Sequence, residues 1–293
     1  MGEFEFEGPS HSEIWEKIGS SSWSEKLEGL IEAASEKANV SGDSLGALPY
    51  LDEARAVAED NGDLTALAHV YMLLGMTYSR LNDWSACAGA HEAGADAGKR
   101  SFRADLEIDH LAYAARAYKR IGDVAAVRRN FELAISMSSD SSSWGLPLLQ
   151  GEYGRFLRKQ GDLVLARKYL EEAAASEEGF PSAMASSELV TVLLGVGDTS
   201  EALSVAREIH SLAEYNDDDR LKNKATYGIA KALIAMGNFG AALASLDSVD
   251  FGEFSSVKHK VRVDILRSSA LIGLSRGPEA LVILERAIPM LSK

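Results

Sequence analysis

The sequence predicts an all-α solenoid of about seven antiparallel helix pairs, and two observations carry that prediction. A short turn recurs at a nearly constant spacing, and each turn lies between two amphipathic segments. The turns are Gly42-Asp43, Asn82-Asp83, Gly122-Asp123, Gly161-Asp162, Gly197-Asp198, Gly237-Asn238 and Ser275-Arg276. Their first residues are 40, 40, 39, 36, 40 and 38 positions apart. A period this steady is typical of repeat proteins, in which each unit packs mainly on its neighbours.

The segment before each turn has one apolar or small stripe. If the first turn residue is numbered fifteen, the stripe occupies positions four, seven, eight and eleven. In the second unit these are Tyr71, Leu74, Gly75 and Tyr78. This spacing places all four side chains on one face of a helix.

The segment after each turn tends to place a large residue between two small ones, at positions twenty, twenty-four and twenty-seven. Val127, Phe131 and Ala134 show the pattern in the third unit. Small residues allow two helix backbones to approach, and the large residue fills the groove between units. The glycine at position fifteen can form a left-handed C-cap, and the aspartate after it can N-cap the second helix.

These motifs resemble the tetratricopeptide repeat. The best local match is Tyr71-x-x-Leu74-Gly75-x-x-Tyr78 followed by Asn82-Asp83, and Val127-x-x-x-Phe131-x-x-Ala134 matches the second half of the repeat. The resemblance extends from about Lys26 to Leu291 and implies a right-handed superhelix whose first helices line a concave groove. The family period is 34 residues, so the period near 40 indicates a variant with longer helices or loops.

Composition limits the classes of partner and compartment. The net charge of −14 and the pI of about 4.9 argue against binding to nucleic acid or to a membrane surface. Cys87 is the single cysteine, which excludes an intramolecular disulfide and weakly favours the cytoplasm. No apolar run is long enough to span a membrane, and the N-terminus lacks the features of a signal peptide. We predict a tail or short extra helix at residues 1–20 and one repeat domain at residues 21–293.

The concave face is expected to be basic although the protein is acidic. In the repeat family, positions two, five, nine, twelve and thirteen of the first helices face the groove. These positions and the stretch beyond them give the predicted partner-binding residues: Arg80, Arg116, Lys119, Arg120, Arg155, Arg158, Lys159, Tyr227 and Lys231. Arginines can hold carboxylates or phosphates in a bidentate fork. An alternative reading is that Lys119, Arg120, Arg158 and Lys159 only complement helix dipoles at C-terminal ends.

Catalytic and metal sites are not predicted. No two of the six histidines are four residues apart, as paired zinc ligands on a helix would be. His91 occupies a core position, His69 a groove position, and Cys87 a core position. The run Gly273-Leu274-Ser275-Arg276-Gly277 matches a nucleophile elbow in letters, but that motif follows a strand, and a helical segment precedes it here. We therefore expect neither an enzyme nor a cofactor.

The leading hypothesis is a non-catalytic adaptor that binds a peptide, helix or domain surface in the groove, with an acidic partner favoured. Two alternatives remain open at this stage. One is a regulator that senses a peptide, and the other is a helical repeat that binds nucleic acid through the basic concave face. The oligomeric state and the identity of the partner do not follow from the sequence.

Overall fold

The computed structural model describes residues 22–138, 145–176, 179–249 and 257–290. The predicted tail or helix at residues 1–20 lies outside these ranges. The chain divides into two compact units, Met1–Leu149 and Gln150–Lys293. The single repeat domain at 21–293 stays a prediction.

The first unit consists of helices that pack in chain order. They are α1 (Ser22–Ser35), which a π-helical turn at Glu36–Val40 extends, α2 (Ser44–Asp60), α3 (Leu64–Arg80), α4 (Trp84–Arg100), α5 (Ala104–Ile121) and α6 (Val124–Met137). Each helix contacts the next, and α3 also contacts α5. The first helices of the second and third pairs are therefore neighbours, as the repeat pattern predicts.

The second unit begins at Gln150, within the first of its helices. Its helices are α7 (Leu146–Gln160), α8 (Leu163–Ala174), α9 (Gly179–Val196), α10 (Thr199–Tyr215), α11 (Asp219–Ala235), α12 (Phe239–Asp247), α13 (Val257–Gly273) and α14 (Gly277–Ala287), followed by a 3-10 turn at Ile288–Met290. Helix α11 packs against both α9 and α13. Across the described ranges the secondary structure is helical with no strand, which confirms the all-α prediction of seven helix pairs. The handedness of the superhelix stays a prediction.

All seven predicted turns have left-handed backbone at position fifteen. Positive φ angles occur at Gly42, Asn82, Gly122, Gly161, Gly197, Gly237 and Ser275. At Gly122, where φ is 89°, the N–H groups of Gly122 and Asp123 both donate to the carbonyl of Tyr118. This geometry caps the C-terminus of α5 and confirms the predicted left-handed cap.

Four of the turn aspartates cap the second helix of their pair. Their carboxylates accept hydrogen bonds from backbone N–H groups three residues later, in the pairs Asp43–Gly46, Asp83–Ala86, Asp123–Ala126 and Asp162–Leu165. Asp198, Asn238 and Arg276 stand in the same place without such a side-chain bond. Side-chain capping is therefore confirmed for the first four turns only.

Replacing Asp123 with alanine should lower the free energy of unfolding by about 1 kcal/mol, because the N–H of Ala126 loses its acceptor. Asp123→Asn keeps an oxygen in the same place and should change stability by only a few tenths of a kcal/mol. Urea unfolding followed by circular dichroism compares the two variants. An equal loss in both would contradict the capping role.

The seventh pair carries charged residues, Asp264 and Arg267, at positions four and seven, where the other pairs carry uncharged ones. The carboxylate of Asp264 is buried and lies 3.1 Å from Arg286 and 3.6 Å from Arg267. Arg267 also donates to the carbonyl of Leu246 on α12. These ion pairs neutralise the buried carboxylate.

Candidate functional site

The nine predicted partner-binding residues are divided between the two units. Arg80, Arg116, Lys119 and Arg120 belong to the first unit, and Arg155, Arg158, Lys159, Tyr227 and Lys231 belong to the second. A single continuous wall formed by all nine stays a prediction.

In the first unit, aromatic rings support the guanidinium groups of two predicted arginines. The guanidinium of Arg116 lies 5.7 Å from the centre of the Tyr113 ring, and that of Arg120 lies 5.1 Å from the Trp84 ring. Arg80, Lys119 and Arg120 are exposed, and Arg116 is half-buried. These cation–π contacts restrict the arginine side chains before a partner binds. Binding then carries a smaller loss of side-chain entropy.

Not every predicted groove position in this unit is open. His69 is only 2% exposed, and Met72 and Ala112 are also buried, so the placement of His69 on the groove is wrong. Helix α5 contacts α3 beside this position, where the ring of His110 reaches the carbonyl of Ala68 at 3.0 Å.

Beneath the Arg116 side chain lies a buried pair of histidines. The Tyr113 ring stacks on His91 with centres 5.1 Å apart, and Nδ1 of His91 lies 3.1 Å from Nδ1 of His110. Because the Ala68 carbonyl can only accept, Nε2 of His110 carries a proton. Burial of both rings disfavours their charged forms, and in neutral His110 Nδ1 accepts from Nδ1–H of His91.

The electrostatics of this pair agree with that assignment. Burial lowers the pKa of His110 to about 4, although its bond to the Ala68 carbonyl opposes the shift. Burial, and then the proximity of His110, lowers the pKa of His91 well below its usual value. The prediction that His91 is a core residue is confirmed.

The surroundings of Cys87 and Ser275 do not match a reactive cysteine or a nucleophile elbow. Cys87 is buried, and burial raises the pKa of its thiol to about 12, as expected for an inert core cysteine. Ser275 lies in the turn after helix α13, so the strand that a nucleophile elbow requires does not precede it. Within the described ranges, no group of three or more His, Cys, Asp and Glu side chains could hold a metal ion.

In the second unit, the face of the first helices is rich in cations. Nε of Arg158 donates to Oε2 of Glu188 across the α7–α9 boundary at 2.9 Å, and Arg155 lies 3.6 Å from Glu152. Lys159 is exposed at the end of α7, so the dipole alternative stays open for it. Arg158 makes a specific ion pair and is not explained by the dipole alone.

Two lysines of α11 are held on the same face. Nζ of Lys224 lies 3.9 Å from Sδ of Met184, and Nζ of Lys231 lies 5.6 Å from the centre of the Tyr227 ring. Burial lowers the pKa of Lys224, with Arg155 and Arg158 adding to the effect and Glu188 opposing it. Burial also lowers the pKa of Lys231, and Arg158 and Arg262 lower it further.

Sequence reasoning omitted two residues of this face. Arg262 stands at position two of the seventh unit, which is a groove position, so the numbering from the turns could have found it. Glu188 stands at position six of the fifth unit, which is not a groove position in the repeat family, so no sequence signal marked it. The predictions also missed that Tyr113 and Trp84 support Arg116 and Arg120.

No helix in the described part of the chain is both long and apolar enough to cross a bilayer. No protein-family model matches the sequence, and no curated protein matches it. Solved structures of low sequence identity share the fold. The apo form of the quorum sensor NprR from B. thuringiensis has a TM-score of 0.61 at 15% identity, covering 96% of this chain and 80% of that one.

Two further structures agree with this fold. A tetratricopeptide repeat protein from Parabacteroides merdae has a TM-score of 0.60 at 15% identity, covering 91% of this chain and 93% of that one. PilW, a type IV pilus biogenesis factor, has a TM-score of 0.57 at 18% identity, covering 76% of this chain and 94% of that one. The chain therefore has a helical-repeat fold of the tetratricopeptide type, as its motifs predict.

Proposed function

We propose that this protein is a non-catalytic interaction module that binds an acidic peptide, helix or domain surface on the faces formed by its first helices. The single observation that carries the proposal is the cation-rich face of the second unit in a protein of net charge −14. A surface that concentrates one sign of charge attracts partners of the other sign and orients them.

The geometry of the basic side chains supports a binding role over a merely solvated surface. Arg116 and Arg120 rest against aromatic rings, and Lys231 rests against Tyr227, so these cations are positioned before a partner arrives. Positioned cations bind at a smaller entropic penalty than flexible ones. An acidic protein segment is proposed over nucleic acid, because the rest of the chain repels a long polyanion.

Charge reversal tests the proposal. Arg116→Glu and Arg155→Glu, made separately, should each reduce capture of the partner about tenfold or more if that unit's face binds it. Affinity capture from a lysate, quantified by mass spectrometry, measures the effect. Lys99→Glu and Arg207→Glu serve as controls, because these exposed cations lie on the second helices α4 and α10.

The comparison separates a specific face from general electrostatics. If Lys99→Glu and Arg207→Glu reduce capture as much as Arg116→Glu and Arg155→Glu do, binding depends on the net charge of the protein and not on the face. Capture that survives both face variants would overturn the proposal. The separate variants also show which unit carries the contact.

A further inference from the structure

Lys231 lies on the basic face of the second unit. It belongs to α11, the helix that packs against both α9 and α13. Arg158 on α7 and Arg262 on α13 both influence its ammonium group electrostatically. The stem of Lys231 is half-buried, and its charge lies near the Tyr227 ring at 5.6 Å.

The charges around Lys231 oppose its own charged form. Burial removes water from the ammonium group, and Arg158 and Arg262 add repulsion, so its pKa falls. Lys224, two turns earlier on α11, differs because the carboxylate of Glu188 partly offsets the neighbouring arginines. An anion placed beside Lys231 would relieve repulsion among three cations at once.

We propose that Lys231, Arg158 and Arg262 form an anion-binding centre for an acidic group of a partner segment, a carboxylate or a phosphate, and that Glu188 competes for this centre from within the protein. This inference rests on the proposed function and names the residues that select the partner. Arg158 supplies a guanidinium fork that fits a carboxylate or a phosphate oxygen pair. Lys231 supplies a compact charge beside it.

In the free protein, Glu188 already pairs with Arg158, one of the three cations of the centre. Its Oε2 accepts from Nε of Arg158 at 2.9 Å, and the side chains of Arg158 and Glu188 are only 25% and 17% exposed. A pair this sheltered is weakened less by solvent than a surface pair. An incoming acidic group must therefore displace Glu188 from Arg158 or share Arg158 with it, so Glu188 reduces the affinity of weakly charged partners.

Fluorescence anisotropy with the full chain tests the centre. The probes are a fluorescein-labelled hexaglutamate peptide and a matched peptide that carries phosphoserine, with inorganic phosphate as a competitor. Lys231→Met keeps the apolar stem against Tyr227 but removes the charge, and it should weaken binding about tenfold. Lys222→Met is the matched control, because Lys222 lies nine residues earlier on the opposite side of α11 and pairs with Glu214.

The role of Glu188 has its own variant and control. Glu188→Gln should tighten peptide binding severalfold, since Arg158 no longer holds a competing carboxylate. Glu208→Gln removes the same charge from α10, where Glu208 is exposed, and should leave affinity within about twofold. Equal tightening in both variants would overturn the competition.

Each result bears on the source of the anion or on the centre itself. Binding of hexaglutamate identifies a carboxylate partner, and binding of the phosphoserine peptide alone, with competition by phosphate, identifies a phosphorylated one. Equal weakening by Lys231→Met and Lys222→Met, or binding of neither peptide, overturns the centre. If the Lys231→Met variant still captures the partner, the proposal of an anion-binding centre is wrong and the proposed function stands. If the peptide binds through Lys231 but no partner is captured, the proposed function is wrong and the anion-binding centre stands.

Discussion

Gly94→Ala should lower the free energy of unfolding by about 3 kcal/mol. A Cβ at Gly94 would overlap the imidazole of His110, which is fully buried. That ring cannot swing aside without losing hydrogen-bond distance to His91 or to the Ala68 carbonyl. Overpacking and a broken buried hydrogen bond therefore act together. Thermal and urea unfolding of the purified variant measure the loss.

Gly89 provides a matched control on the same helix. Gly89 is exposed, and a Cβ there would meet nothing within 4 Å. Gly89→Ala should therefore raise stability by about 0.5 to 1 kcal/mol, because alanine has the higher helix propensity. A Gly94→Ala variant as stable as Gly89→Ala would show that the packing of α5 on α4 is looser than described.

Acid should destabilise the protein through His91 and His110, starting well above the range in which carboxylates titrate. The folded state holds both rings neutral, whereas the unfolded chain protonates them near the ordinary pKa of 6.5. Protons therefore bind preferentially to the unfolded state, and stability is complete above pH 6.5. It falls as the pH drops from 6.5 toward the folded pKa of His110, about 4. For His110 the total loss is on the order of 3 kcal/mol.

His110→Gln isolates this effect. Glutamine does not titrate and can still donate to the Ala68 carbonyl, so the slope of stability against pH between neutrality and about pH 5 should become shallower. His210→Gln is the control, because His210 lies on α10 near Glu214 and outside the buried pair. The measurement is urea unfolding at a series of pH values. A slope unchanged from the parent chain would contradict the assignment of His110 as neutral.

The periodic features could be predicted because each depends on local chemistry. The left-handed turns and the aspartate caps follow from residue types that favour those conformations, so the numbering from the turns also located Arg116, Arg155 and Lys231 on first helices. The buried histidine pair could not be predicted. Its contact between positions 91 and 110 depends on how closely α4 and α5 approach, and Gly94 sets that distance only in three dimensions.

For the candidate site, the sequence likewise predicted the positions of the residues but not their contacts. The numbering selects positions but carries no information on which charges neutralise each other between helices. Arg158 and Glu188 are 30 residues apart, and their pairing depends on the packing of α7 against α9. The division of the chain into two compact units is likewise invisible in a period that continues through Leu149 and Gln150.

The ion pair between Arg158 and Glu188 has a consequence for the number of charges a partner needs. Glu188 is tethered, so its effective concentration at Arg158 is in the millimolar range or above. A free molecule with one carboxylate at cellular concentration therefore does not displace Glu188 from Arg158. Two or more linked acidic groups engage Lys231 or Arg262 as well, and the second contact is then intramolecular. The face should thus discriminate by valence, ignoring isolated acidic residues and responding to clusters of them.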